Sequence, residues 1–436
     1  MSNQTFKTTI FENDVLCFES HINEFTDDIY SRFDSIAKKI GLDKNLDDLF
    51  QGKKVNHTED LGAKHPIQRE LNVRMFDEEN QDNSNTYLFS KYHKEAKNIV
   101  IIGIGGSFEG PKLLIESIGN TYKNYIFISG SDPEEFKEKT KKLKPDQTIF
   151  LISSKSFTTD ETITTLKTAI SWSGDTTRFI AITADKAEVK KYNIDKVIEF
   201  NKEIGGRYSI WSDISLPAQW EDKNLQEMFN RGGRQADIDI KNDKGYFKFV
   251  KTLAYSDIWL HNFKNKSSRA VLSYIWKLRS FPNYIQQLEM ESLGKQPSKK
   301  YSEFKKTGQI IFGGYGPTAQ HSYFQLLHQG TQEICADIIA SKEDQDSLAY
   351  AQAITQAKIL SNGADDLLEK KEKINGNVPA NLFLINKVDS YSLGYLIATW
   401  EHRTFITSTL LGINPFDQFG VSAGKIYTKK YLSEKA

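Results

Sequence analysis

The chain has 436 residues, 39% of them hydrophobic and 26% charged, in the usual range for a globular protein, and long enough for two or three cores of ordinary domain size. Lys+Arg and Asp+Glu both number 57, so there is no global basic excess to attract nucleic acid or an acidic membrane, and any anion must be held by a local site. Only Cys17 and Cys335 are present, which argues against a disulfide framework or a cysteine-rich zinc site.

The N-terminal stretch is polar, with no apolar signal core behind basic residues, and no run approaches the roughly 20 apolar residues of a membrane span. A cytoplasmic protein is therefore expected. Residues 1–84 read as a helical segment, with apolar residues at mixed helical spacing from Phe6 to Lys39.

The pattern then changes. Asn98-Ile-Val-Ile-Ile, Asn124-Tyr-Ile-Phe-Ile, Gln147-Thr-Ile-Phe-Leu-Ile and Arg178-Phe-Ile-Ala-Ile are short, continuously apolar, β-branched runs. Stretches that suit helices follow the first three, clearest at Pro111–Ser117 and Glu161–Ile170. Such alternation predicts a buried parallel sheet. A second series begins at Arg269, Gln309 and Glu333. Two α/β sandwich domains are expected, at 85–215 and 235–405, with a C-terminal segment at 406–436. Ligands of such sheets bind beyond the carboxyl ends of the strands.

Two candidate phosphate loops lie there. Gly103-Ile-Gly-Gly-Ser-Phe-Glu-Gly-Pro stands between a strand and a helix. It fits neither a dinucleotide fingerprint, where Phe108 would have to be glycine, nor a Walker loop, where Pro111 would have to be lysine. On its own it serves an anion or a tight structural turn equally well. Ser153-Ser-Lys-Ser-Phe-Thr-Thr carries five hydroxyls in seven residues and opens a helix. That suits a phosphate dianion better than a simple N-cap, which needs one hydroxyl.

Three further segments carry candidate reacting groups. Gly205-Gly-Arg-Tyr-Ser puts Arg207 on a loop after two glycines. Gln286-Gln-Leu-Glu-Met-Glu-Ser-Leu-Gly-Lys offers Gln287, Glu289 and Glu291 among apolar residues. Gln320-His-Ser-Tyr-Phe-Gln-Leu-Leu-His carries His321 and His328, about 10 Å apart along the axis if the stretch is one helix. They are too far apart to share a metal, and a metal-free reaction without a cofactor is expected. Taken singly, each glutamate suits a solvated face and each histidine a structural role.

Together these segments resemble the glucose-6-phosphate isomerase family, in its compact bacterial form. The resemblance is carried, in order along the chain, by Gly103–Ser107, Ser154–Thr162, Gly205–Ser212, Met290–Lys295, Gln320–Thr331 and Asn414–Lys425. It implies two sugar-isomerase (SIS) three-layer αβα sandwiches with mainly parallel sheets and helical N- and C-terminal segments. It also implies reversible isomerisation of D-glucose 6-phosphate to D-fructose 6-phosphate, in glycolysis and gluconeogenesis. In the implied site Gly106 and Ser107 contact the sugar, and Ser154, Lys155, Ser156, Thr158 and Thr159 hold the phosphate, with Gln287 among the substrate contacts. His321 and Lys425 open the ring, with Glu161 orienting His321. Glu291 moves the proton between C2 and C1 through a cis-enediol, and Arg207 stabilises the charge that develops. The resemblance further implies a homodimer in which His321 reaches the neighbouring subunit's site.

Departures from the family pattern include Leu293 in place of Asn, Pro317-Thr318 in place of Thr-Asn, Phe312 in place of Trp, and Ser156 in place of Thr. Asp213 and Ser215 depart after the Gly-Gly-Arg motif, and Ser422-Ala423 before Lys425. None removes a reacting group. An aminosugar phosphate isomerase and a non-catalytic sugar-phosphate sensor are the rival readings. A retained base, histidine and lysine argue against both.

Overall fold

A computed structural model describes residues 8–77, 94–119, 123–219, 223–298, 303–364 and 369–435. The first sheet has the order β4-β3-β5-β6-β7 and is parallel throughout. Its strands are β3 (Asn98–Ile102), β4 (Asn124–Ile128), β5 (Thr148–Ser153), β6 (Phe179–Thr183) and β7 (Val197–Glu199). The central strands β5 and β6 are buried at every position, as continuous apolar runs require when helices cover both faces. The three residues of β7 are too few to form a recognisable run in the sequence.

The second sheet has the order β1-β2-β11-β10-β8-β9. Here β8 (Ser268–Ser273), β9 (Ile310–Tyr315), β10 (Ile334–Ser341) and β11 (Ala380–Ile385) are parallel. The sheet departs from expectation at its far edge, where β1 (Thr8–Glu12) and β2 (Leu16–Ser20) pair antiparallel with each other and β2 pairs antiparallel with β11. Residues 8–20 were expected to be helix or loop. Apolar runs of five residues fit either period, and pairing with β11 decides for strand. Residues 8–20 therefore join the second sheet, and the first helix is Asp27–Ile40.

The helix Ser390–Leu411 is buried on nearly all its faces. It packs against the helices Lys223–Asn242 and Lys244–Phe263 and against Phe281–Leu293. Two charge networks run along it. Arg403 and Arg269 share Asp257 and Asp337, and Arg269 also pairs with Glu289. Arg69 pairs with Asp237 and Glu401, and Trp211 Nε1 donates to Glu401 Oε1 at 2.8 Å. The second network lies directly beneath the loop that bears Arg207.

Candidate active site

Three segments meet beyond the carboxyl end of β3. The first is the glycine loop. Gly105 takes a φ of +60°, and a Cβ there would lie 2.9 Å from Gln287 Nε2; a Cβ on Gly106 would lie 1.8 Å from the Gly206 carbonyl oxygen. Glycine is thus required at both positions by close approach, and the loop is pressed against the segments carrying Arg207 and Glu291. The helix Gly106–Ile118 begins at this contact.

The second segment is the 3-10 turn Gly206–Trp211. Arg207 is only 2% exposed. Its Nε donates to Glu291 Oε2 at 3.1 Å. Its Nη1 donates to the Pro415 carbonyl at 2.8 Å, and its Nη2 to the Asp417 carbonyl and to Gln418 Oε1, each at 2.8 Å. Arg207 was expected as the fixed cation that stabilises the charge developing on the sugar. Four of its N–H bonds are committed to the protein, which fixes the guanidinium in place beside the Glu291 carboxylate.

The third segment is the last turn of the helix Phe281–Leu293. The Glu291 side chain keeps 27% exposure. Its Oε2 accepts from both Arg207 Nε and Gln287 Nε2, the latter one turn earlier at 3.1 Å. Tyr208 and Tyr284 reinforce the arrangement. Tyr208 OH lies 3.1 Å from Ser292 Oγ, and Tyr284 OH donates to the Arg207 carbonyl at 3.3 Å. His65 stacks on the Tyr208 ring at 4.4 Å and is held below the ordinary histidine pKa by burial and by the charge of Arg69.

The hydroxyl-rich loop joins β5 to the helix Asp160–Ser173. Thr159 stands at the N-cap but makes no capping bond with its side chain. Its hydroxyl lies 3.3 Å from Ser154 Oγ, and Ser156 Oγ lies 2.8 Å from Thr158 Oγ1. The first N–H groups of the helix are thus not covered by the hydroxyl best placed to cap them. Phe157 holds the loop's shape, with a φ of +51° that only Gly, Asn or Asp adopts readily, and its ring is fully buried 5.8 Å from Tyr192. Lys155 is exposed on the loop, but its pKa is lowered from the usual lysine value, chiefly by desolvation. The carboxylate of Glu59 opposes that shift and the charge of Arg207 adds to it.

The remaining expected residues are not bonded to this group. His321 caps the short helix Gly316–Gln320, is exposed, and donates its backbone N–H to Thr318. A turn separates it from the helix Phe324–Gln329, so His321 and His328 do not share one helix. His328 Nε2 lies 2.8 Å from Gln356 Oε1. No hydrogen bond joins His321 to Glu161 among the described residues, and Glu161 lies in the first turn of its own helix. Lys425 lies on the exposed terminal helix Ser422–Lys435. One turn further on, Lys429 approaches Asp160 of the phosphate-loop helix at 3.4 Å, so Lys425 shares the face turned toward that loop.

Sequence reasoning missed the groups that hold Arg207, namely the Pro415 and Asp417 carbonyls and the Gln418 amide, and it missed Lys295. Two of these are backbone acceptors, which no side-chain pattern reveals. A groove of about 510 Å³ lies elsewhere, along the free edge of β4 between Phe108, Tyr125, Phe127 and Lys142, and includes none of the expected site residues. Among the described residues no group of three or more His, Cys, Asp or Glu side chains is placed to hold a metal, and no helix is long and apolar enough to cross a membrane.

The family model for phosphoglucose isomerase matches residues 20–436. The glucose-6-phosphate isomerase of Blochmanniella floridana is 32% identical, with 96% of this chain and 86% of that protein covered. That of Legionella pneumophila (strain Paris) is 34% identical, covering 89% and 84%. The crystal structure of a glucose-6-phosphate isomerase from Chlamydia trachomatis superposes with a TM-score of 0.85 at 23% identity, over 99% of this chain and 90% of that one.

Proposed function

The chain belongs to the phosphoglucose isomerase family and interconverts glucose 6-phosphate and fructose 6-phosphate, and on that footing we propose which of its residues carry each step. Glu291 is the base. It takes the proton from C2 of the opened sugar and returns it to C1 through a cis-enediol. The observation that carries this assignment is the Arg207–Glu291 pair, set at the edge of the glycine loop with Gln287 on the same carboxylate oxygen. A fixed guanidinium beside the carboxylate holds it in place, and its positive field opposes the negative charge of the enediolate.

The hydroxyls of Ser154, Ser156, Thr158 and Thr159, with Lys155 and the N-terminus of the helix Asp160–Ser173, grip the phosphate. Gly106 and Ser107 border the sugar. A general base contributes only about 10²–10⁴-fold, so much of the acceleration must come from this grip and from charge stabilisation.

Ring opening falls to His321 and Lys425. Neither is bonded to Glu291 of its own chain, which fits a homodimer in which His321 serves the neighbouring site. The terminal helix and the residues before it expose Phe419, Val421, Ile426, Tyr427 and Leu432 at 53–69%, an apolar surface suited to burial against a second copy. The lack of global charge and of an apolar span is compatible with a cytoplasmic enzyme that binds no nucleic acid.

The test is a coupled assay of fructose 6-phosphate formation from a panel of aldose and aminosugar phosphates. Glucose 6-phosphate should have the highest kcat/KM. Preference for an aminosugar phosphate would reassign the site.

A further inference from the structure

The helix that carries Glu291 ends at Leu293, and Lys295 folds back beneath it. Its ammonium donates to the Glu291 carbonyl at 2.6 Å, to the Ser292 carbonyl at 3.3 Å and to the Asp417 carbonyl at 2.8 Å. An ammonium has three donors, and here three carbonyls take them. The first two are the terminal acceptors of the base helix, which lack partners within it. The third also accepts from Arg207 Nη2 at 2.8 Å, so two cations meet on one oxygen. Asp417 is itself anchored. It is 6% exposed, its Oδ2 accepts from Thr58 Oγ1 at 2.7 Å, and its Oδ1 stands 3.5 Å from Lys295 Nζ.

We propose that Lys295 is a positioning residue for the proton transfer: it ties the last turn of the base helix to the Asp417 carbonyl and so fixes where Glu291 stands relative to Arg207. It rests on the reading of Glu291 as the base. Lys295 needs no contact with the sugar. Arg207 grips the 415–418 segment with three hydrogen bonds and Glu291 with one. Without the ammonium, the hydrogen bonds of Arg207 and the contacts of Tyr208 with Ser292 and Phe416 are left to join the base helix to that segment. Partial burial and the nearby Arg207 charge lower the Lys295 pKa, as a cation enclosed with another cation should show. A compact ammonium suits three converging oxygens, which a planar guanidinium does not.

The test compares Lys295→Met, Lys295→Cys and Glu291→Gln. Both native cysteines are buried, so 2-bromoethylamine applied to folded Lys295→Cys restores an ammonium at position 295 selectively. A base displaced by about 1 Å loses on the order of 10²-fold in rate, so both Lys295 variants should lose about that in kcat. KM and the affinity for D-glucitol 6-phosphate should stay within about threefold, because the phosphate grip lies elsewhere. Alkylation, confirmed by mass spectrometry, should recover about tenfold or more of the lost kcat.

Wild-type kcat in folded Lys295→Met would overturn the proposal. So would a loss that only tracks the folded fraction seen by circular dichroism, or one that alkylated Lys295→Cys does not regain. Glu291→Gln separates the two readings. If it still exchanges the C2 proton with solvent, the assignment of the base fails. If it is inert while Lys295→Met is unimpaired, only the role of Lys295 fails.

Discussion

Glu289 and Glu291 stand two residues apart on one helix and face opposite ways. Glu289 is 4% exposed, pairs with Arg269 and accepts from Trp400 Nε1 at 2.9 Å. Glu291 faces the glycine loop and pairs with Arg207. Two residues turn a helix by about 200°, so one carboxylate enters the core and the other the site. Replacing each should therefore have a different consequence.

Glu291→Gln should abolish proton transfer and leave sugar-phosphate binding largely intact. The carboxamide keeps the shape and loses the basic oxygen. Tritium exchange between solvent and sugar should fall by at least about 10²-fold, the lower range for a general base, while D-glucitol 6-phosphate affinity changes little. Near-normal exchange would place the base elsewhere.

Glu289→Ala should act on stability. It leaves the Arg269 guanidinium with one fewer counter-charge inside the core and removes the acceptor of Trp400. Breaking a buried pair from one side costs about 3–5 kcal/mol, read as a shift of the denaturation midpoint. Arg269 keeps Asp257 and Asp337, so the lower end is expected. An unchanged midpoint with lost activity would reverse the two glutamates' roles.

The sequence made the parallel strands legible because apolar β-branched runs flanked by glycine or hydroxyl-rich loops have few other uses. The same runs located both loops at strand ends. It was silent on β11 and on the hairpin β1–β2, which joins the sheet through a pairing of β2 with β11 more than 300 residues away. Its residue pattern offered Glu289 and Glu291 together, and only the family resemblance chose Glu291, since the pattern does not give the direction of the core. Arg207 was legible as a cation near the site, but not as one already holding Pro415, Asp417 and Gln418, because those acceptors come from the far end of the chain.

The Arg69–Asp237–Glu401 network beneath the Arg207 turn should make stability depend on pH. Burial pushes the Glu401 carboxyl up to about 7 from 4.5, against the pull of Arg69 and the Trp211 hydrogen bond. A raised carboxyl pKa means that between these values the folded chain keeps a proton the unfolded chain has lost. Its contribution is therefore full below pH 4.5 and falls as pH rises through about 7. His65 and His402, lowered chiefly by burial, act in the opposite sense below their ordinary range. Comparing wild type with Glu401→Gln removes the part of their effect that is independent of Glu401, whose Oε2 lies 3.9 Å from His65 Nε2. The stability of wild type relative to the variant should be greater at about pH 5 than at about pH 8. An equal difference at both would mean that Glu401 is ionised in the folded protein throughout.

His321→Ala should damage turnover of the cyclic substrate more than turnover of an open-chain analogue, because its proposed work ends once the ring has opened. The two kcat/KM ratios against wild type are the measurement. Equal losses would remove His321 from ring opening.

A site shared between subunits has a sharper consequence. A monomer would hold Glu291 and Arg207 together, as observed, without the histidine that opens the ring. Inactive Glu291→Gln protein mixed with inactive His321→Ala protein should then regain activity. In a mixed dimer one site collects both changes and the other collects neither. With free exchange about half the dimers are mixed and each has one intact site, so recovery should approach roughly a quarter of wild-type sites. Dilution below the dimer dissociation constant before mixing should speed the recovery, since exchange requires free subunits. If mass spectrometry shows that mixed dimers have formed and no activity returns, each site is built within one chain and the shared-site reading fails.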